Sequence, residues 1–309
     1  MDRRDWIQFS VLSAVWGASY LFIKVALEDD VSPTVIVFAR TALAALVLLP
    51  FALRAGALAA VRGRLWPIGV LAFVQIAAPF LLICAGESHL SSSLTGILVA
   101  TAPIFTFLLA IRLDHEERVH GAGLFGVLLG IGGVVVLLGF DAGGGAAALV
   151  GGSMVILASL GYALGAFYLK RHLSDVEPIG LVTAAMAASA LMTLPFAAIS
   201  LPSSAPGLDA AGSLAALGVL GTGLAFVMFY GLIASVGPGR ASLVAYVAPG
   251  FAVIYGVLLL GEGFGLASLA GLLMIVAGSW LAAEGRLPWQ PGARRQLDSP
   301  RALPATEAT

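Results

Sequence analysis

Residues 121–140 read GAGLFGVLLGIGGVVVLLGF, a stretch without one charge. At about 1.5 Å per residue it is long enough, as a helix, to cross a hydrocarbon core of ~30 Å. It does not alternate apolar and polar residues as a barrel strand would. The stretch therefore predicts a transmembrane helix. Working outward, comparable runs lie near 7–26, 34–53, 66–86, 93–111, 151–169, 178–200, 212–235, 240–260 and 265–283. The sequence thus predicts an all-α membrane protein with ten transmembrane helices. The first run follows Arg3 and Arg4, and it reads as an uncleaved first span rather than a signal peptide.

Composition points the same way. Of 309 residues, 60 % are hydrophobic and 11 % charged, and mean hydropathy is +1.01. A soluble domain carries charge on about a quarter of its residues. A chain this apolar needs the lipid bilayer as its solvent. The net charge of −1 offers no electrostatic case for a nucleic-acid partner. A single cysteine, Cys84, excludes an intrachain disulfide framework and a Cys-rich metal site. The 38 glycines follow no period, as expected of helices that pack closely.

Positive charge predicts the orientation. With the N-terminus inside, the inner segments hold Arg3, Arg4, Arg54, Arg62, Arg64, Arg112, Arg118, Lys170, Arg171, Arg240, Arg286, Arg294, Arg295 and Arg301. The outer loops hold only Lys24, and Arg40 falls within a span. This bias predicts a multi-pass protein of the cytoplasmic (inner) membrane with both termini cytoplasmic.

The halves repeat. Asp30-Val31-Ser32-Pro33 returns as Asp175-Val176-Glu177-Pro178, and Leu49-Pro50-Phe51-Ala52 as Leu194-Pro195-Phe196-Ala197, each displaced by 145. Ala102-Pro103 and Glu116 return as Ala248-Pro249 and Glu262, displaced by 146. Gly126 and Gly133 return as Gly271 and Gly278. Each half has an odd number of spans, five, so the second must enter the membrane from the opposite side. Residues 1–143 and 144–285 are therefore read as two inverted five-helix repeats, and 286–309 as a disordered cytoplasmic tail. Inverted repeats are a device of secondary transporters, whose halves rock about a shared midplane site.

The ordered set Trp16-Gly17, Ser19, Lys24, Pro33, Arg40, then Ser91-Ser92-Ser93, Pro103, Glu116, Gly126 and Gly133 resembles the EamA domain of the drug/metabolite transporter superfamily. That resemblance covers roughly residues 7–283, twice over. It implies a ten-helix bundle with a central site and a carrier of small metabolites such as amino acids. It further implies that helices one, three, four, six, eight and nine surround a cavity. The chain departs from the family pattern at Asp114-His115-Glu116, where Leu-Gly-Glu is usual, and at Glu87, where a basic residue is common.

Among intramembrane polar residues, Arg40 is the most telling. It lies ~10 Å from the outer start of its span, and an intramembrane Arg costs at least ~2.5 kcal/mol to insert. Its repeat counterpart is Ala185, so the scaffold does not demand a cation there. It reads either as a counter-charge for a carboxylate or as an interhelical anchor on backbone carbonyls. Trp16, Tyr20 and Lys24 share one stripe of the first helix. The aromatic pair reads as pathway lining or packing, Lys24 as an interfacial charge. Ser19, from the family motif, joins the candidates. Gln75 is substrate-facing or interhelical glue. Thr101 and Pro103, and Ser242, Tyr246 and Pro249, mark two helices expected to bend and offer polar backbone. The candidate substrate-binding set is Trp16, Ser19, Tyr20, Arg40, Gln75, Thr101, Ser242 and Tyr246. Gly126/Gly130 and Gly161/Gly165 have the small-xxx-small spacing of close helix contacts.

No catalytic residue, metal site or cofactor is expected. His115 and His120 are five apart, about 140° around a helix, where zinc ligation needs a spacing of four. Every Asp and Glu falls in a terminus, a loop or a span end, Glu87 and Glu262 included. Without a midplane acid, a lipophilic cation or proton coupling is disfavoured. The expected function is therefore a secondary transporter, whether exporter, exchanger or facilitator, of a small neutral, zwitterionic or anionic metabolite. A membrane-embedded enzyme and a non-transporting scaffold are the alternatives. Oligomeric state is not legible.

Overall fold

The computed structural model describes residues 1–113, 121–141 and 145–284. Glu116, both histidines of the 115–120 segment, and the tail 286–309 lie outside the described residues. Those described form helices and the turns that connect them, without strands. Eight helices are long and apolar enough to cross a membrane: α1 (Arg3–Glu28), α2 (Pro33–Arg54), α3 (Leu65–Glu87), α4 (Ser92–Arg112), α5 (Gly121–Gly139), α6 (Ala146–His172), α7 (Pro178–Ile199) and α8 (Leu208–Val236). Two shorter apolar helices follow, α9 (Val244–Leu259) and α10 (Leu266–Glu284).

Local sequence sets where these helices begin. Asp2 caps α1 by accepting from Asp5 N at 2.8 Å, and the Asp5 carboxylate accepts from Asp2 N at 2.9 Å. This reciprocal box starts α1 at Arg3, ahead of the predicted run. Ser32 caps α2 with Pro33 in its first turn, where a missing N–H costs nothing. Ser91 caps α4, its hydroxyl accepting from Leu94 N at 3.2 Å.

The helices sort their faces by size rather than polarity. On α5, Leu124, Leu128, Ile131 and Val135 form an exposed outward stripe, Val135 being 63 % exposed. Gly126 and Gly133 face inward onto α10, so close that a Cβ at Gly126 would lie 2.6 Å from the Gly278 carbonyl oxygen. Lipid is as apolar as leucine, so contact area is gained by bringing backbones together. Gly130 is filled instead by Ile104 of α4. Gly161 and Gly165 of α6 receive Pro79 and Gln75 of α3.

The helices pair by repeat position. The most extensive contacts join α5 to α10 and α2 to α7, each the counterpart of the other. The contacts of α1 with α8 and α9 reappear as those of α6 with α3 and α4. Those of α2 with α8 reappear as α7 with α3. Helices α3 and α8 also carry π-helical segments at matching places, Ala72–Ala77 and Val219–Leu224.

The expected bends are not symmetric. Helix α4 breaks at Ala100–Thr101, just before Pro103, whose ring nitrogen cannot donate. Helix α9 runs unbroken through Pro249. Its break comes earlier, at Ser242–Leu243, after the short turn Pro238–Ala241.

Hydrogen bonds tie loops at each end of the bundle. Arg64 pairs with Asp175 at 2.7 Å, and Ser235 donates to Asp5 at 2.6 Å. At the opposite end, Gly207 N donates to Asp29 at 2.7 Å and the Ser32 hydroxyl to the Ser200 carbonyl at 3.0 Å. These ties fit helices that cross in alternate directions. The first end gathers Arg54, Arg62, Arg64, Lys170 and Arg171, whereas Lys24 lies at the other.

Candidate functional site

Arg40 is the centre of the candidate site. Helix α2 carries it among buried Val37, Thr41 and Ala44, and Arg40 itself is only 8 % exposed. Its Nε donates to the Thr222 hydroxyl at 2.8 Å. The guanidinium carbon sits 3.8 Å from the centre of the Phe80 ring, a cation–π stack. Thr222 is held in turn: its hydroxyl donates to the Leu217 carbonyl, five residues back, at 2.9 Å. That span is the π-helical step of Val219–Leu224, and such bulges recur at functional sites. Gly218 brings α8 close enough that a Cβ there would lie 3.3 Å from the Arg40 carbonyl oxygen. Nε and one guanidinium face are therefore engaged. Among the described residues the two Nη groups find no protein acceptor. Tyr20, Cys84 and Tyr162 belong to the same core as Phe80.

The other predicted residues divide into two groups. Tyr20 is half-buried in the same core and rests against Gly96 of α4. One turn earlier, Trp16 packs on Phe226 and Phe229, ring centres 6.3 and 5.0 Å away. Phe226 and Tyr230 border the core that holds Tyr20 and Tyr162. Ser19 is buried and its hydroxyl lies 3.5 Å from the Val15 carbonyl, beside Gly221 of α8. Gln75 sits in the α3 π segment, its stem against Gly165. These four residues, Arg40 and their neighbours Phe80, Tyr162 and Thr222 lie on α1, α2, α3, α6 and α8. Thr101, Ser242 and Tyr246 lie apart from Arg40's immediate partners. Thr101 is 3 % exposed and donates to the Leu98 carbonyl of its own helix at 2.7 Å. Ser242 is exposed at the α9 break, and the Tyr246 hydroxyl donates to the Ser279 carbonyl at 3.4 Å.

Sequence reading missed Phe80, Thr222 and Tyr162. Thr222 did carry a signal, a lone hydroxyl between Gly221 and Gly223 in an apolar run. Phe80 and Tyr162 carried none beyond being aromatic.

Glu87 is buried although it lies at a span end, where the sequence places it. It ends α3 and is 0 % exposed. Neither carboxylate oxygen has a hydrogen-bond partner. The reason is close packing behind it: Gly86 lets α3 meet α6 so nearly that a Cβ would sit 2.7 Å from the Gly151 carbonyl oxygen. Lys24 is not a free interfacial charge. Its Nζ donates to the carbonyls of Glu87 and Leu90 at 3.3 and 2.9 Å, capping the C-terminal end of α3.

Glu262 clamps the two halves together. Its carboxylate accepts from Ser92 N at 2.6 Å, Ser93 N at 3.0 Å and the Ser93 hydroxyl at 2.5 Å. An anion on the positive end of α4 is favourable, and hydrogen bonds to a charged group are worth about 1.5–3 kcal/mol. We expect Glu262→Ala to lower the melting temperature of the purified protein by several degrees, and Glu262→Gln by less. Equal melting of all three proteins would show that the clamp adds no stability.

Comparisons with known proteins place these observations. The sequence profile described as the EamA-like transporter family matches residues 5–139 and 149–283. An uncharacterized transporter of Archaeoglobus fulgidus is 26 % identical over 92 % of the chain and all of its own length. A probable amino-acid metabolite efflux pump of Escherichia coli K12 is 25 % identical over 65 % of each protein. One solved crystal structure superposes with a TM-score of 0.66 at 19 % identity, covering 91 % of this chain and 97 % of that one, and shows a shared fold.

Proposed function

The chain belongs to the EamA-like transporter family, and from that premise we propose that it is a secondary transporter of a small metabolite bearing a carboxylate. The observation that carries this reading is Arg40, whose orientation is set by Thr222 and Phe80 while its two Nη groups remain available. A planar guanidinium so presented matches a carboxylate bidentately. Tyr20, Trp16 and Tyr162 supply the apolar and hydroxyl surface beside it, with Gln75 and Ser19 at the margin. An amino acid fits that chemistry, and the name of the Escherichia coli relative supports the class.

We read the ten helices as two inverted repeats. The repeat-matched pairing of helices and the matching π segments support this. Rocking of one half against the other would open Arg40 alternately to each side. The membrane is the cytoplasmic one and both termini face the cytoplasm, a reading that rests on the positive charges gathered at one end. Topology is testable because the single native cysteine, Cys84, is buried and gives little background. A cysteine introduced at Asp209 should react with an impermeant maleimide on intact cells, and one at Asp175 only after permeabilisation. The reverse pattern would invert the molecule.

The function itself is tested in proteoliposomes. Counterflow of a panel of labelled amino acids, carboxylates, sugars and amines should select carboxylate-bearing solutes. Selection of amines or uncharged sugars alone would overturn the reading.

A further inference from the structure

Among the described residues, three buried side-chain oxygens lack any hydrogen-bond partner: both carboxylate oxygens of Glu87 and the hydroxyl of Ser92. They belong to segments that meet at one end of the bundle. Ser92 opens α4 next to the Glu262 clamp, and Glu87 closes α3 five residues earlier. A groove of about 580 Å³ lies at the same end, lined by His89, Leu90, Ser93, Leu94, Phe264 and Ser268 among others; Glu87 and Ser92 do not line it. An ionised carboxylate sealed from water without a partner costs several kcal/mol, even after relaxation. A proton removes that charge.

We propose that Glu87 is a proton-binding site that couples transport to the proton gradient, a step that rests on the transporter reading above. In the packing seen here, a proton taken up from water on one side of the membrane is held on a Glu87 carboxylate oxygen. When the halves rock and water from the opposite side reaches the side chain, the O–H bond breaks and the proton passes to that water, leaving the carboxylate charged. One proton is thus taken up on one side and released on the other in each cycle.

The surroundings favour a proton over a metal cation. Lys24 and Tyr20 face Glu87 from α1, Arg40 from α2, Cys84 from its own helix and Glu262 from the loop after α9. Two nearby cations repel a sodium ion, yet both can stabilise the carboxylate once it is wet. The Lys24 ammonium already donates to the Glu87 and Leu90 carbonyls.

The test uses the full chain in lipid, as wild type, Glu87→Gln and Glu87→Asp. Acid–base infrared difference spectra should show a protonated-carboxyl band that titrates in the wild type, moves in Glu87→Asp and vanishes in Glu87→Gln. In proteoliposomes, each unit of imposed pH gradient should change the steady-state solute ratio up to about tenfold, the equivalent of ~1.4 kcal/mol. Glu87→Gln should still exchange solute, with no response to the gradient, and Glu87→Asp should recover part of it. Gradient response retained in Glu87→Gln, stimulation by a sodium gradient instead, or no titrating band assignable to Glu87 would each overturn the proposal. A titrating Glu87 band in a protein that moves no solute would keep the proton site and overturn the transport reading.

Discussion

Arg40→Ala should abolish movement of carboxylate-bearing solutes while the protein still inserts, folds and melts measurably. Hydrogen bonds to a charged group contribute about 1.5–3 kcal/mol, so losing the guanidinium weakens solute binding by about 10- to 100-fold. Arg40→Lys should recover only part. Its ammonium keeps the charge but lacks the planar fork, and cannot donate to Thr222 through Nε while presenting two further groups to solute. Thr222→Val offers a finer test, because it leaves the cation in place and removes what orients it. We expect a smaller loss there than in Arg40→Ala. Counterflow rates for the four proteins, normalised to the amount reconstituted, decide the matter. Normal counterflow by Arg40→Ala would make the residue an anchor between α2 and α8.

Gly278→Leu should have the largest effect on stability. A Cβ at Gly278 would lie 2.5 Å from the Gly126 carbonyl oxygen and 2.6 Å from Gly130 N. Both neighbours are backbone, so no side chain can swing aside. Overpacking typically costs about 1–3 kcal/mol, and this contact belongs to the upper end or beyond. The expected result is loss of monodisperse protein in detergent, or a melting temperature many degrees lower. Gly132→Leu is the control: Gly132 meets only the flexible end of Met274. Equal yields and melting for the two variants would show that α5 and α10 do not depend on this contact.

Sequence alone determined the solvent of this protein, because no arrangement of so apolar a chain could hide its surface from water. It also determined the helices, since each is a local apolar run, three of them opened by a side-chain cap at Asp2, Ser32 and Ser91. The repeat was legible too, because duplicated segments keep their spacing. Arg40 stood out by its cost in lipid. Tertiary structure decided the rest. Whether Arg40 touches Thr222, 182 residues away, depends on a π-helical step and on glycines that admit α8. That Glu87 is dry depended on how neighbouring helices pack around the end of α3, not on its place at a helix end. Membrane depth follows from position along one helix, which sequence records. Burial depends on how near the neighbouring helices come, which is set by contacts between residues far apart in the chain.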